Sequence, residues 1–393
     1  MIAIILAAWE GSRLKPLSNT TPKPMINIFW KSILEHNIEN IYSKVSQILI
    51  VVKYKKEKII DFFGDNYKNT PIKYINQWEE KWTWAAIKNI EIKNEDIILL
   101  NWDSIFNKDD LNKIITLKWY WSLVKKVDDP SKYGIFKQNS LWYATRIIEK
   151  PDTFIWDLAN LWVYKFSSEI IQISKNIPIS KRWEYEITDS INEFLKDNDF
   201  KLIEISWDFI DVWYPWDILW ANKYFLDKLK KDQIKWTIED NVVIKWNIIL
   251  EKWALIKSWT YIEWNIYIWK NTTIWPNTYL RWSTVIWNNC KIWNAVEIKN
   301  SSIWDNTNIP HLSYIWDSII WNNVNIWWWM ITANLRHDRD NIKAIVKWEL
   351  VDTKLHKLWI IIWDNVKTWI KTITYPWRVI ENDIQTLPWQ IIK

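Results

Sequence analysis

Residues 6–17 read LAAWEGSRLKPL and follow the short apolar run MIAIIL. The pattern is that of a strand running into a loop that binds phosphate. Such a loop needs glycine, because backbone N–H groups must come close to anionic oxygens and the chain must turn sharply. Gly11 meets that need. Trp9 breaks it, with the largest side chain where the smallest is required. A second polar cluster, NWDS, closes the apolar run DIILL and puts Asp103 at a strand end.

The conflict at Trp9 recurs along the chain. There are 38 Trp and 3 Gly in 393 residues, whereas ordinary usage of about 7% would give roughly 27 glycines. The tryptophans stand in turn contexts such as NWDS, KWTWAA, VWYPWD, IWDN and IWNN. Their neighbours are the Asn, Asp, Pro and Ser among which glycine normally sits. Indoles there would be exposed and would often be asked to take positive φ, which a residue with a Cβ avoids. The composition therefore predicts that most Trp stand for glycine, through a codon that some bacterial lineages read as glycine and another table reads as tryptophan. The many Ile, Lys and Asn fit an AT-rich gene. Trp119 and Trp121, in LKWYWSL, are candidates for genuine tryptophan. The rival is an aromatic carbohydrate binder, but platform tryptophans do not recur at turns throughout a chain.

The elements that must position these residues fall into two halves. Residues 1–230 alternate buried strand-like runs (IAIILAA, SQILIVV, DIILLN) with amphipathic stretches (SILEHNIENIYSK, DDLNKIITLK). That is the α/β pattern of a Rossmann-like, mostly parallel mixed sheet with helices on both faces. Ligands of such sheets bind beyond the carboxyl ends of the strands, where LAAWEGSR and LLNWDS both lie. The stretch after Trp220 predicts a helix that closes this half.

From Ile238 the period becomes six. Eleven successive positions, Ile238 to Ile298, are all Ile or Leu. The frame slips by one residue before Ile303 and again before Ile320, is interrupted from about Met330 to Leu358, and restarts weakly at Ile362. One inward aliphatic residue per hexapeptide describes a parallel β-helix with three short strands per coil. Residues 238–393 are therefore expected to form a left-handed parallel β-helix. The nine Ile-Trp pairs in it mark corners that call for a small residue.

Length predicts two or three domains. The net charge of +5 is dispersed and does not suggest nucleic-acid binding. The single cysteine, Cys290, cannot form an internal disulfide, which fits a reducing cytosol and predicts a cytoplasmic protein. Neither a leader nor a membrane span is expected; MIAIILAA reads as a buried first strand.

With glycine at Trp9 the opening becomes LAAGEGSRLKPLSNTTPKPM. It resembles the signature of sugar-nucleotide pyrophosphorylases, the nucleotidyltransferases that act on sugar 1-phosphates. QWEEKWTWAAI, NWDSIF, IIEKP, NLWVYKF, EYEITDSI and FIDVWYPWDILWAN extend the resemblance through the first half. It implies that Ala8, Trp9, Glu10, Gly11, Gln77, Trp82 and Thr83 bind the nucleotide, with Gln77 at the base edge. Arg13 and Lys23 would hold the triphosphate, and Asp103 and Asp211 one Mg²⁺, a hard cation suited to few carboxylates. Gly134, beside Tyr133, would bring backbone to the sugar. Glu149 would accept from sugar hydroxyls, Lys150 would meet the sugar phosphate, and Asn160 would face the 2-substituent.

PHLSYIWDSIIWNNVNIWWWMITANLRHD and the later KLWIIIWDNVKTWIKTITYPWRVI resemble the acetyltransferase half of bifunctional sugar-1-phosphate nucleotidylyltransferase/acetyltransferases. WWWMIT departs from that pattern. The resemblance implies acetyl-CoA as co-substrate, His311 as the base that takes the amine proton, and Tyr314, Asn334 and Lys343 positioning the sugar. His337 and His356 read as surface residues. It also implies a homotrimer, substrates UTP or another nucleoside triphosphate and a sugar 1-phosphate, and N-acetylglucosamine as the sugar. The alternatives are a monofunctional glucose-1-phosphate uridylyl- or thymidylyltransferase with a structural β-helix, and a non-catalytic regulatory subunit.

Overall fold

A computed structural model describes residues 1–15, 17–77, 84, 87–88, 90–180, 183, 185–205, 209–333, 335–347 and 349–393. The chain divides into two compact units. One comprises Met1–Gly11, Thr21–Asn27 and Lys31–Asp211; the other comprises Ser12–Thr20, Ile28–Trp30 and Val212–Lys393.

The first unit is built on a mixed sheet. Four parallel strands run in the order Thr70–Asn76, Gln47–Val52, Ile2–Leu6 and Asp96–Asn101. Leu158–Ser167 then pairs antiparallel to Asp96–Asn101 and extends the sheet to Gly134–Gln138 and Ala144–Glu149. Period-two alternation of the first strand fills both faces. Ile2, Ile4 and Leu6 pack with Ile170, Ile187 and Phe194 on one side. Ala3, Ile5 and Ala7 pack with Leu34, Ile38 and Ile114 on the other. The helix Ile33–Ile41 starts where Ser32 Oγ accepts from the Glu35 amide at 3.1 Å, a Ser-x-x-Glu start. Strand order reverses between Ile2–Leu6 and Asp96–Asn101, so the loops after these two strands flank the switch point.

The second unit is a left-handed parallel β-helix with three sheets. Its coils repeat every eighteen residues in the pairings Ile248↔Ile266↔Thr284 and Ile262↔Leu280↔Ile298. The one-residue slip of the sequence frame is the step at which Val285 pairs with Ser302. The hexapeptide Ile and Leu residues from Leu250 to Ile326 fill a single apolar core. In the last coils the inward positions pass to Thr368, Thr374 and Thr386, all buried, which explains the weak frame after Ile362. Ile319 pairs with Ile361, and the interruption holds a projecting hairpin, Lys343–Val346 with Glu349–Asp352.

The helix expected after Trp220 is Asp217–Asp227, and it packs on the β-helix. Asn222 donates to Ser302 Oγ at 3.4 Å, and Asn265 donates to the Leu226 carbonyl at 2.7 Å. These buried amides and the apolar face of Ile218, Leu219 and Leu226 hold it there.

Candidate active site

At the switch point, Ala7 continues the first strand by donating to Val51 O at 2.8 Å. Ala8 is buried and Trp9 is exposed. Gly11 turns the loop at φ 71°, and a Cβ there would lie 2.7 Å from the Lys23 Cβ. The missing side chain is what lets Lys23 lie across the loop. Lys23 is itself buried, in the turn Lys23–Met25, with Nζ 3.9 Å from Asp103 Oδ2 and 4.6 Å from the centre of the Trp102 ring.

Asp103 follows the strand Asp96–Asn101. The next residue, Ser104, pairs with Asp211 in the short antiparallel ladder Ser104–Ile105 with Ile210–Asp211. The two carboxylates predicted to share a metal are thus carried on adjoining backbones. Asn37 fixes this ladder from the helix Ile33–Ile41. Its side chain donates to Ser104 O at 2.8 Å and accepts from Phe106 N at 3.5 Å, while Asn40 donates to Phe106 O at 3.0 Å. Among the described residues no group of three His, Cys, Asp or Glu forms a metal cage. Two carboxylates suit Mg²⁺, which keeps waters and takes remaining ligands from substrate phosphates.

Gly134 stands opposite Glu149 in the antiparallel register, and a Cβ at 134 would meet Glu149 Oε2 at 2.9 Å. Here too the missing side chain lets a side chain, the Glu149 carboxylate, lie against bare backbone. Lys150 has left-handed backbone (φ 43°), and its amide donates to the Tyr133 carbonyl at 3.0 Å. Burial and the nearby Asp211 carboxylate push the Tyr133 phenol up. Asn160 is buried; it donates to the Tyr164 hydroxyl and accepts from Trp162 N at 3.1 Å, at a break in the strand register. Gln77 is buried at the end of Thr70–Asn76, its amide donating to Val52 O at 2.9 Å. Trp82 and Thr83 lie outside the described residues. Arg13 groups with the second unit, its guanidinium 5.1 Å from the Trp213 ring centre.

In the second unit His311 is exposed, its Nδ1 3.4 Å from Asn294 Oδ1 and its ring 5.3 Å from Trp293. Beside it a cavity of about 280 Å³ is lined by Lys291, Trp293, Asn308, Pro310, Asn325 and Trp327. Tyr314 opens the next strand, and burial followed by the Glu297 carboxylate pushes its phenol up to about 12. Lys343 is exposed on the hairpin, as are His337 and His356 on the same excursion. Asn334 lies outside the described residues.

A polar ladder that the sequence reading passed over runs beside Tyr314. Register stacks Arg281, Lys299 and Trp316 on successive coils, and Glu297 on Tyr314. Arg281 pairs with Glu297 at 3.3 Å. Lys299, almost wholly buried, pairs with Asp317 at 3.5 Å, and Asn300 donates to Asp317 at 2.7 Å. Burial pushes the Lys299 ammonium down and the Asp317 carboxyl up. The eighteen-residue spacing of Arg281 and Lys299 was the available signal; it says that two cations share one edge of the coil.

The Nucleotidyl transferase family model matches residues 2–228. The chain is 41% identical over 377 residues to the "Bifunctional protein GlmU" of Methanocaldococcus jannaschii, covering 96% of this chain and 91% of that protein. It is 37% identical over 377 residues to the "Bifunctional sugar-1-phosphate nucleotidylyltransferase/acetyltransferase" of Sulfurisphaera tokodaii, covering 96% and 93%. Among solved structures, an apo UDP-glucose pyrophosphorylase superposes with TM-score 0.53 at 20% identity, over 58% of this chain and 99% of that one. That last likeness is one of fold. The family model covers residues 2–228, the relatives match nearly the whole chain, and the chain is a member of the bifunctional sugar-1-phosphate nucleotidylyltransferase/acetyltransferase family.

Proposed function

We propose that the chain makes UDP-N-acetylglucosamine in two steps. The β-helix transfers an acetyl group from acetyl-CoA to the amine of glucosamine 1-phosphate. The first unit then joins the product to UTP. In that step a phosphate oxygen of the sugar attacks the α-phosphorus, the bond to the β-phosphate oxygen breaks, and pyrophosphate leaves in line.

The observation that carries this reading is the gathering of Lys23, Asp103 and Asp211 beside the Gly11 turn. Phosphoryl chemistry of this kind asks mainly for alignment and charge neutralisation. Asp103 and Asp211 would hold Mg²⁺, which supplies positive charge at the phosphates. Lys23 and Arg13 bind the triphosphate, and the backbone of Ala8 to Gly11 cradles it. Gln77, with Trp82 and Thr83, receives the base. Gly134 and Glu149 hold the sugar hydroxyls, Lys150 the sugar phosphate, and Asn160 the 2-substituent.

In the second unit His311 takes a proton from the amine as its nitrogen bonds to the acetyl carbon. The thioester C–S bond breaks, and coenzyme A leaves as the thiol. Arg281, with Tyr314, Asn334 and Lys343, binds the sugar phosphate and orients the amine. The single buried thiol suits a cytoplasmic enzyme, and assembly is as a homotrimer.

The test is a panel of nucleoside triphosphates and sugar phosphates, with pyrophosphate and thiol release followed separately. UTP with N-acetylglucosamine 1-phosphate should give pyrophosphate, and Asp103→Ala should lower that rate by about 10²–10³-fold, the scale of one lost electrostatic group. An unchanged rate removes Asp103 from the site. Thiol release should require glucosamine 1-phosphate and vanish in His311→Ala. Absence of thiol release in the parent chain would make the β-helix a scaffold.

A further inference from the structure

Each coil of the β-helix turns three corners, and most of these corners have a residue in left-handed backbone. At one corner these are Trp253 (φ 66°), then Asn271, Asn289, Asn306, Asn323 and Asn365 (φ 57° to 61°) on later coils. At the next they are Asn241 (63°), Trp259 (66°), Asn277 (58°), Ala295 (55°), Leu312 (57°), Trp329 (66°), Lys371 (57°) and Trp389 (61°). At the third they are Trp264 (103°), Trp282 (47°), Asn300 (44°), Asp317 (44°) and Trp377 (47°). The strand register makes these positions equivalent, as Leu255 pairs with Thr273 and Arg281 with Lys299. The first and third of these positions carry only Asn, Asp or Trp, while the second also carries Ala295, Leu312 and Lys371. Left-handed backbone crowds a Cβ against the carbonyl; glycine escapes this, and Asn or Asp bears it best. A corner that accepts Asn on one coil accepts Gly on the next. Indole has no such standing.

The first unit repeats the pattern. Trp142 takes φ 63° in the turn joining Gly134–Gln138 to Ala144–Glu149, with its amide donating to Asn139 O at 3.1 Å. A hairpin of this kind places glycine at that left-handed position. Trp119 (74°) and Trp162 (59°) mark the exit from a helix and a break in a strand pair. A separate set is buried with indole N–H groups that make no hydrogen bond: Trp102, Trp287, Trp304, Trp321, Trp359 and Trp363. Buried tryptophan normally pairs its N–H, because an unpaired donor forfeits its hydration.

We propose that in the cell of origin these positions carry glycine, one codon being read there as glycine where the present sequence has tryptophan. The eleven left-handed tryptophans among the described residues, which include Trp183 (60°) and Trp389 (61°), are the positions at which the fold demands it. The same reading at Trp9 and Trp102 leaves bare backbone in the phosphate loop and uncovers the Lys23 ammonium, which now faces the Trp102 indole. The proposal stands apart from the reaction, and its test does not use activity.

Protein isolated from those cells is digested with trypsin and its peptides weighed. Peptides 253–257 (WALIK) and 282–291 (WSTVIWNNCK) should appear at the masses for glycine at 253 and 282. Indole masses at either position overturn the proposal. Independently, a chain carrying Trp→Gly at all eleven left-handed positions should melt at a higher temperature than the chain as written, by circular dichroism. An equal or lower melting temperature removes the backbone argument. If the chain as written fails to fold while the glycine chain folds, the result is the expected one in its stronger form.

Discussion

Two residues carry readable consequences of their surroundings. Asp129 accepts from the Ser131 hydroxyl at 2.6 Å and pairs with Lys132 at 2.9 Å, in the turn that leads to Tyr133 and Gly134. The Ser131 hydrogen bond first, then Lys132, holds its carboxyl down to about 2. A depressed acid stabilises the folded state above its ordinary value of 3.8, and that contribution is lost as the pH falls from there through about 2. A carboxyl NMR titration should give this midpoint, and Ser131→Ala should move it upward. Cys290 shows the opposite effect. Complete burial pushes its thiol up to about 12, and its Sγ lies 3.0 Å from Trp304 O. It should therefore be silent to a disulfide thiol reagent in the folded protein and react once denatured, so thiol-release assays of the acetyl step start from a clean baseline.

At the scale of elements, the acidic pair depends on a clamp. Neither Asp103 nor Asp211 sits in a long strand; the ladder carrying them has two residues a side. Asn37, fully buried, bonds both ends of Ser104–Phe106 and ties that ladder to the helix Ile33–Ile41. Asn37→Ala strips a partner from a buried carbonyl and should cost about 1–3 kcal/mol of stability. It should also raise the Mg²⁺ concentration needed for half-maximal pyrophosphate release. Asn37→Asp keeps the shape but loses the amide donor, and should share the Mg²⁺ effect. A variant with lowered stability and an unchanged Mg²⁺ requirement would make Asn37 structural only.

At the scale of the molecule, the two units have separate cores and separate candidate sites. The β-helix is quasi-one-dimensional, each coil stabilised by its neighbours. Ile286 lies fully buried in mid-stack. Ile286→Ala should cost about 2–5 kcal/mol in denaturant unfolding. With separate cores, thiol release should fall at lower denaturant in that variant while pyrophosphate release persists. Parallel loss of both activities would show that the units unfold as one.

The sequence alone settled what depends on local period and residue type. Alternation in IAIIL set both faces of the first strand, and a period of six set a parallel coil, because an inward side chain every sixth residue leaves few other ways to bury it. The acid at the end of DIILLN was legible because strand ends are where open α/β sheets bind ligands. Only tertiary structure could decide which distant residues meet. Arg281, Lys299 and Asp317 look like ordinary surface charge until the coil register stacks them, and Asn37 looks like a helix-surface amide until Ser104 lies against it. The corners divide in the same way. Composition said that glycine was missing, and the Ile-Trp pairs suggested where. The folded backbone instead puts its left-handed residue beyond those pairs, on Asn271, Asn277 and Asn289. It also makes Trp119, read as a candidate genuine tryptophan, a left-handed position at φ 74°, while Trp121 lies in an ordinary strand. The sign of φ is a property of the path the chain takes: Asn favours the left-handed region, but an aromatic residue gives no sign of it before the chain has folded.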